Sequence, residues 1–409
     1  MTGFEPAALA GVRILDLSRI LAGPAATQLL GDLGADVVKV EKPGEGDDTR
    51  RWGPPYVQGV DGSDTDESAY YLCANRNKRS IAIDLASAAG RELVLDLVAR
   101  ADVLVENYKA GGLAQFGLGW DQLRERCPRL IYCSITGFGQ TGPYASRPGY
   151  DFLIQGMGGI MSLTGEPAGQ PMKTGVGIAD VMTGMYAACG ILAALRHRDA
   201  SGVGQHIDIS LLDTQIAWLV NAGTNFLTSR TVPDRLGNGH PNIVPYQVFA
   251  TADAPMILAV GNDAQFARFC AAASLRKLSE DTRYSTNPQR VAHRGPLCEL
   301  IEKQLKLRPR AEWLAALEKV GVPCGPVNNL AEVFADPHVK ARGAEVRMAC
   351  EWAAGGEIGL LANPLKMSAS PPSYRQLPPR LNEHGAEILR DWLARDCSPT
   401  STESAACTS

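Results

Sequence analysis

Asp180 opens an apolar stretch in the run Gly175-Val-Gly-Ile-Ala-Asp-Val-Met-Thr-Gly-Met-Tyr186. The pattern predicts a helix over 181–198 with this carboxylate at its start. Asp is a common N-cap because its oxygens accept from the free backbone N–H groups of the first turn. The same position also suits chemistry. A carboxylate at the positive end of a helix is expected to stay ionised at neutral pH, and a Gly-rich approach lets a bulky ligand come close. Such a group can attack an activated acyl carbon. Sequence physics leaves both readings open.

Other candidates are weaker singly. Tyr150-Asp151 follows Arg147-Pro-Gly149, and Tyr150 alone reads as a packed aromatic with a hydrogen-bonded hydroxyl. Lys42, Arg50, Arg51 and the run Asn75-Arg-Asn-Lys-Arg-Ser80 read either as solvated edges or as phosphate-binding groups. Gly237-Asn-Gly-His-Pro241 can adopt unusual backbone angles, or it simply connects two domains.

Several function classes drop out. The opening βαβ turn at Gly23-Pro24 carries no G-x-G-x-x-G fingerprint, and neither a G-x-S-x-G elbow nor a G-x-x-x-x-G-K-[ST] loop is present. The 10 cysteines form no C-x-x-C pair and the 6 histidines no H-E-x-x-H, so no metal site is expected. Lys plus Arg total 40 against 44 Asp plus Glu, a net charge of −4 that offers no footprint for nucleic acid or an anionic membrane. Neither a signal-peptide pattern nor a run of about 18 apolar residues is evident. The expectation is a reduced, soluble, cytoplasmic protein.

The elements that must position these residues follow from periodicity. Val12–Leu17, Val37–Val40, Ser80–Leu85, Val103–Val105 and Leu130–Ile135 read as strands, and His206–Ile209 as a further strand after a hydrophilic break at 197–204. Helices over 25–33 and 90–100 alternate with them, Gly34 closing the first. This alternation predicts an α/β fold, a large Rossmann-like domain with a mostly parallel sheet. Ligands of such sheets gather at the carboxyl ends of strands, so the loops after Leu17, Val40, Val105 and Ile135 are the first places to look. Strands near 247–250 and 256–260, with helices near 263–273, 291–307 and 310–320, predict a smaller α+β domain.

Taken in order, the motifs carry a resemblance. They are Asp16-Leu-Ser-Arg-Ile-Leu-Ala-Gly-Pro24, Gly34-Ala-Asp-Val-Val-Lys-Val-Glu-Lys-Pro43, Asn77-Lys-Arg-Ser80, Val105-Glu-Asn-Tyr108, Gly137-Phe-Gly139, Gly142-Pro143, and the runs 147–151, 180–186 and 237–246. Gly321-Val-Pro-Cys-Gly-Pro-Val-Asn328 and Phe334-Ala-Asp-Pro337 complete the set. Over roughly residues 10–395 the chain resembles the class III CoA-transferases, the CaiB/BaiF or formyl-CoA transferase family. His240 to Phe249 and Val260 to Phe266 look like the succinyl-CoA:glutarate branch.

The resemblance implies an enzyme that moves coenzyme A from an acyl-CoA, here succinyl-CoA, to a short dicarboxylate. Aspartyl anhydride and aspartyl-CoA thioester intermediates would carry the group, with CoA thioester as substrate and no metal or bound cofactor. The nucleophile falls on Asp180. CoA-contacting positions fall on Lys42, the strand Ile83–Ala86, Asn107 and Tyr108, with Leu21 where the formyl-CoA enzymes place a glutamine. Arg147 and Tyr150 lie toward the thioester end, and Gly237, Asn238 and Gly239 form the mobile loop. Lys173 and His240 each offer a charge for a distal carboxylate. An arginine that reaches the CoA phosphates is replaced by Gln115. The implied subunit holds a large domain over 1–205, a linker helix and Gly loop over 206–245, and a small domain over 246–325. A return segment over 326–397 and a disordered tail over 398–409 follow, and two subunits interlock as a homodimer. Alternatives on the same fold are a 2-methylacyl-CoA racemase or an acyl-CoA dehydratase. The racemases read Gly-His-Asp where this chain has Gly149-Tyr-Asp151, and a tyrosine is a poor base at neutral pH.

Overall fold

A computed structural model describes residues 7–395, so the expected tail lies outside the described residues. Six short segments become a sheet: β1 (Arg13–Asp16), β2 (Asp36–Glu41), β3 (Lys78–Ala82), β4 (Val103–Glu106), β5 (Ile131–Thr136) and β6 (His206–Ser210). Their spatial order is β3-β2-β1-β4-β5-β6, and all five pairings are parallel. The central strands β1, β2, β4 and β5 carry apolar residues on consecutive positions because both faces are covered. Ile14, Val37, Val105 and Cys133 face one core cluster, while Leu15, Val38, Leu104 and Tyr132 face another. Each such side chain taken fully from water contributes roughly 1.5–3 kcal/mol.

The first face is covered by α1 (Ala22–Asp32) and, later in the chain, by a long helix over Ile178–Ser201. The second is covered by α2 (Ala88–Val98) and by the C-terminal helix Gly385–Leu393, whose Ile388, Leu389 and Trp392 are buried. Next in chain order come α3 (Asp151–Met157) and α4, the helix Ile178–Ser201. By length and composition α4 could cross a membrane. Here Thr183, Ala187, Ile191 and Ala194 are fully buried, the pattern of a core helix. Gly184 permits this packing, since a Cβ there would stand 2.7 Å from the Ala22 carbonyl oxygen of α1.

The basic run 75–80 is neither a solvated edge nor a phosphate cradle. Arg76 is buried against Asp32 at 2.6 Å, Lys78 against Asp16 at 3.1 Å, and Arg79 pairs with Asp36 at 2.8 Å. Arg50 is likewise buried, held between Glu41 and Glu67. Their carboxylate partners lie on strands and helices distant in sequence, so a local reading sees only bare charge.

Packing divides the chain into two units. Among the described residues the first comprises 7–158, 175–218 and 340–395, and the second 159–174 and 219–339. The large domain was expected to end at 205, but His206–Ser210 is the sixth strand of its sheet, so this unit runs on to Trp218. Residues 326–339, expected in the return segment, group with the second unit. That unit carries a three-stranded antiparallel sheet of Tyr246–Phe249, Met256–Ala259 and Cys324–Pro326. Its core is built around Phe249, Phe266, Phe269, Leu297 and Trp313.

Candidate active site

The strand order reverses between β1 and β4, and a parallel sheet offers a crevice beyond the carboxyl ends of such strands. A cavity of about 440 Å³ lies there in the first unit. Its wall comes from the turn after β1 (Arg19 to Ala22), the loop after β4 (Asn107 to Ala110) and the segments Thr136-Gly137 and Arg147 to Tyr150. Asp180 opens into the same space. The chain reaches this geometry because Gly137 and Gly149 touch backbone to backbone. A Cβ on Gly149 would lie 2.4 Å from the Gly137 Cα.

Of the expected residues, the cavity brings together Leu21, Asn107, Tyr108, Arg147, Tyr150 and Asp180. Asn107 ties two walls: its Oδ1 accepts from Arg19 N at 2.9 Å and its Nδ2 donates to Arg19 O at 2.6 Å. The Arg147 guanidinium stacks over Tyr144 at 4.5 Å. Tyr150, expected to be packed, is 64% exposed and stands at the N-cap of α3 in the cavity lining. Gln115 also lines the cavity, its amide donating to Gly112 O at 2.9 Å.

Other expected residues lie elsewhere. Lys42 is exposed and paired with Glu45. Ile83 and Ala86 are not strand: β3 ends at Ala82, and Ala86 N donates to the Asp84 carboxylate at 2.9 Å in a turn that leads to α2. Neither they nor Lys42 line the cavity. Lys173, Gly237, Asn238, Gly239 and His240 belong to the second unit. There Arg294 Nη2 donates to His240 O at 2.7 Å. Burial and the Arg294 charge lower the His240 pKa, so this imidazole disfavours the cation expected of a carboxylate partner.

Asp180 is not an N-cap. Gly177 holds that place and Asp180 sits in the first turn of α4. The capping is done by Asp151, whose Oδ1 accepts from Ala179 N at 2.8 Å and Asp180 N at 3.4 Å. Asp180 was expected to stay ionised. Instead, burial and then the nearby Asp151 charge raise its pKa to about 7. Tyr70 lies in the same field: burial, followed by Asp180, raises its hydroxyl to about 12. Sequence reasoning assigned no role to Asp151 or Tyr70. The one available signal was an acid directly after Tyr150, 29 residues before Asp180. Among the described residues, no group of three or more His, Cys, Asp or Glu is gathered as metal ligands.

The arrangement is a carboxylate in the first turn of a helix, opening into a cleft lined by the turn after β1 and the loops after β4 and β5. The sequence profile of CoA-transferase family III matches residues 9–385, nearly the whole of this architecture. The chain belongs to CoA-transferase family III. It is therefore an enzyme acting on CoA thioesters. This class III CoA-transferase is 51% identical over 383 residues to the succinate–glutarate CoA-transferase of Agrobacterium fabrum, covering 94% of this chain and 95% of that one. It is 42% identical over 396 residues to the succinyl-CoA:glutarate CoA-transferase of Homo sapiens, covering 97% and 88%. Its fold matches the crystal structure of a CaiB/BaiF family protein from Brucella suis with a TM-score of 0.83 and 48% identity, over 95% of this chain and all of that one.

Proposed function

We propose that this enzyme transfers coenzyme A from succinyl-CoA to glutarate or a closely related short dicarboxylate, in the cytoplasm, with Asp180 as nucleophile. The observation that carries the reading is Asp180 opening into the cleft at the strand-order reversal. The substrates are supported by the names of the two relatives above. The compartment is supported by the eight described cysteines, all free.

In the proposed sequence, ionised Asp180 attacks the thioester carbonyl and CoA leaves as the thiolate, giving an acyl–aspartyl anhydride. The thiolate then attacks the aspartyl carbonyl, which releases succinate and leaves an aspartyl-CoA thioester. The acceptor carboxylate attacks that thioester, forming a second anhydride and freeing the thiolate again. Thiolate attack on the acceptor carbonyl yields the new acyl-CoA and restores the Asp180 carboxylate. Two anhydrides form, so water must be excluded during both. Backbone N–H groups of the Gly loops suit the tetrahedral oxyanions. Lys173 and the Gly237–His240 loop are assigned to the acyl side, and Lys42, Ile83 and Ala86 to CoA, on family resemblance alone.

An interlocked homodimer belongs to the same proposal. It is supported by the large apolar side chains that a single subunit leaves exposed, among them Phe152, Leu153, Val176 and Tyr186. Light scattering after gel filtration should return about twice the 43.7 kDa of one chain.

The test is to mix purified protein with succinyl-CoA and a panel of carboxylates and to follow acyl-CoA products by mass spectrometry, with Asp180→Ala alongside. Expected is glutaryl-CoA with the parent and none with the variant. Transfer to monocarboxylates as readily as to dicarboxylates would remove the proposed acceptor class. No transfer at all, with deuterium entering the α-position of a 2-methylacyl-CoA, would replace the transferase by a racemase.

A further inference from the structure

The turn that walls the cavity beside Asp180 has a backbone that its own sequence disfavours. Ile20 stands at φ 74°, in the left-handed region, although it is β-branched. There Cβ crowds the adjoining carbonyl, and such a residue persists only where its surroundings over-determine it. Ile20 and its neighbours Arg19 and Leu21 all line the cavity.

What constrains this turn is buried and lies outside the cavity lining. The Asp47 carboxylate, 1% exposed, accepts from Ile20 N with both oxygens, at 3.2 and 3.3 Å. Asp47 is itself fixed by Thr49, whose N and Oγ1 donate at 3.0 and 2.8 Å. It is also fixed by Lys39 Nζ at 2.8 Å, with both charged side chains fully buried. Lys39 Nζ donates in addition to Ser18 O at 2.9 Å, so one ammonium reaches the turn on the near side of Ile20 while its partner carboxylate grips Ile20 itself. A buried ion pair is weak evidence for stability, because desolvation offsets most of its attraction. What this pair contributes is geometry.

We propose that the buried Lys39–Asp47 pair is a positioning device for acyl-CoA, locking the Arg19–Leu21 turn in its strained shape and so setting the wall of the cavity that Asp180 enters. This rests on the reading that the cavity binds acyl-CoA. Neither residue is catalytic. They act through the backbone of Ser18 and Ile20, and loss of the clamp lets Ile20 relax toward negative φ and shifts Arg19 and Leu21 with it.

The experiment uses the full chain carrying Asp47→Asn, with two readouts. Hydrogen–deuterium exchange should quicken in residues 18–22 while strands β1 and β4 keep their protection. The KM for succinyl-CoA should rise on the order of tenfold, the cost of a small misplacement at a binding wall, with kcat changed less. Adding Ile20→Gly to Asp47→Asn should bring KM back to that of Ile20→Gly alone, because glycine adopts φ 74° without a clamp. A purely structural pair gives no such rescue. Thr49→Val, which removes one hydroxyl donor from Asp47, should move both readouts the same way by a smaller factor and covers the case in which Asp47→Asn does not fold. Exchange that quickens equally across the sheet, an unchanged KM in folded variant, or failure of the glycine to rescue would each overturn the proposal. A parent protein that transfers no CoA would sink the functional reading alone. The exchange pattern would still decide whether the pair holds the turn.

Discussion

The Asp151 carboxylate caps the helix that carries Asp180, accepting from Asp180 N at 3.4 Å and from Ala179 N at 2.8 Å. One acid thus fixes the other's backbone and, through its charge, also opposes the other's ionisation. The two effects are separable, because an amide can cap without carrying charge.

Asp151→Asn should therefore keep the cap and lower the Asp180 pKa. A carboxylate nucleophile must be ionised, so kcat/KM in the parent should climb with pH through about 7. In the variant that rising limb should move to lower pH by about one unit. A pH–rate profile over pH 5–9 reads it, and an unmoved limb would show that burial alone sets the Asp180 pKa.

Removing the Asp180 carboxyl should abolish transfer yet stabilise the fold. Its pKa is raised from 3.8 in an ordinary setting to about 7 here, so only the folded chain resists the charge. Stability is consequently lost as pH rises from about 4 to about 7, and the loss stays constant above that. Asp180→Asn should thus gain roughly 2–4 kcal/mol at pH 8 and little at pH 4. Thermal unfolding at the two pH values is the measurement.

Gly149→Ala places a Cβ 2.4 Å from the Gly137 Cα, backbone against backbone, with no flexible side chain to give way. Both glycines line the cavity, so the two loops must part. We expect a loss of about 1–3 kcal/mol in denaturant unfolding and a clear fall in kcat/KM. A fall in stability without a change in kinetics would mean that the loop contact does not shape the site.

Arg76 separates a structural role from a phosphate-binding one. Its guanidinium is buried against Asp32 and donates to Leu361 O at 2.7 Å, away from the cavity lining. Arg76→Met strands a buried carboxylate and should cost about 3–5 kcal/mol. The folded variant should keep the parent KM for succinyl-CoA. A raised KM would restore the phosphate reading.

Much of the architecture was legible locally. Mostly apolar runs such as Val37–Val40 and Leu130–Ile135 read as strands and are strands, and Gly34, at φ 109°, ended α1 where left-handed backbone was needed. The loops after Leu17, Val105 and Ile135 were flagged as ligand-facing and do line the cavity. The loop after Val40 was flagged too, yet of its residues only Asp48 reaches the lining. Lys42 turns instead to Glu45, three residues away, a pairing that sequence spacing permits but does not require.

Sequence alone determined which residue types stand in which order: a carboxylate ahead of an apolar helix, glycines on either side of it, and strands alternating with helices. Those are local properties, governed by side-chain period and backbone preference within a few residues. Tertiary structure decided everything that depends on a partner far along the chain. It turned the basic run 75–80 into buried ion pairs, brought Asp47 to Ile20 from 27 residues away, and set Asp151 beside Asp180. The Asp180 pKa belongs to this second kind. Charge at a helix start predicts an ionised acid, while burial and a second carboxylate, neither visible in the local sequence, raise its pKa instead.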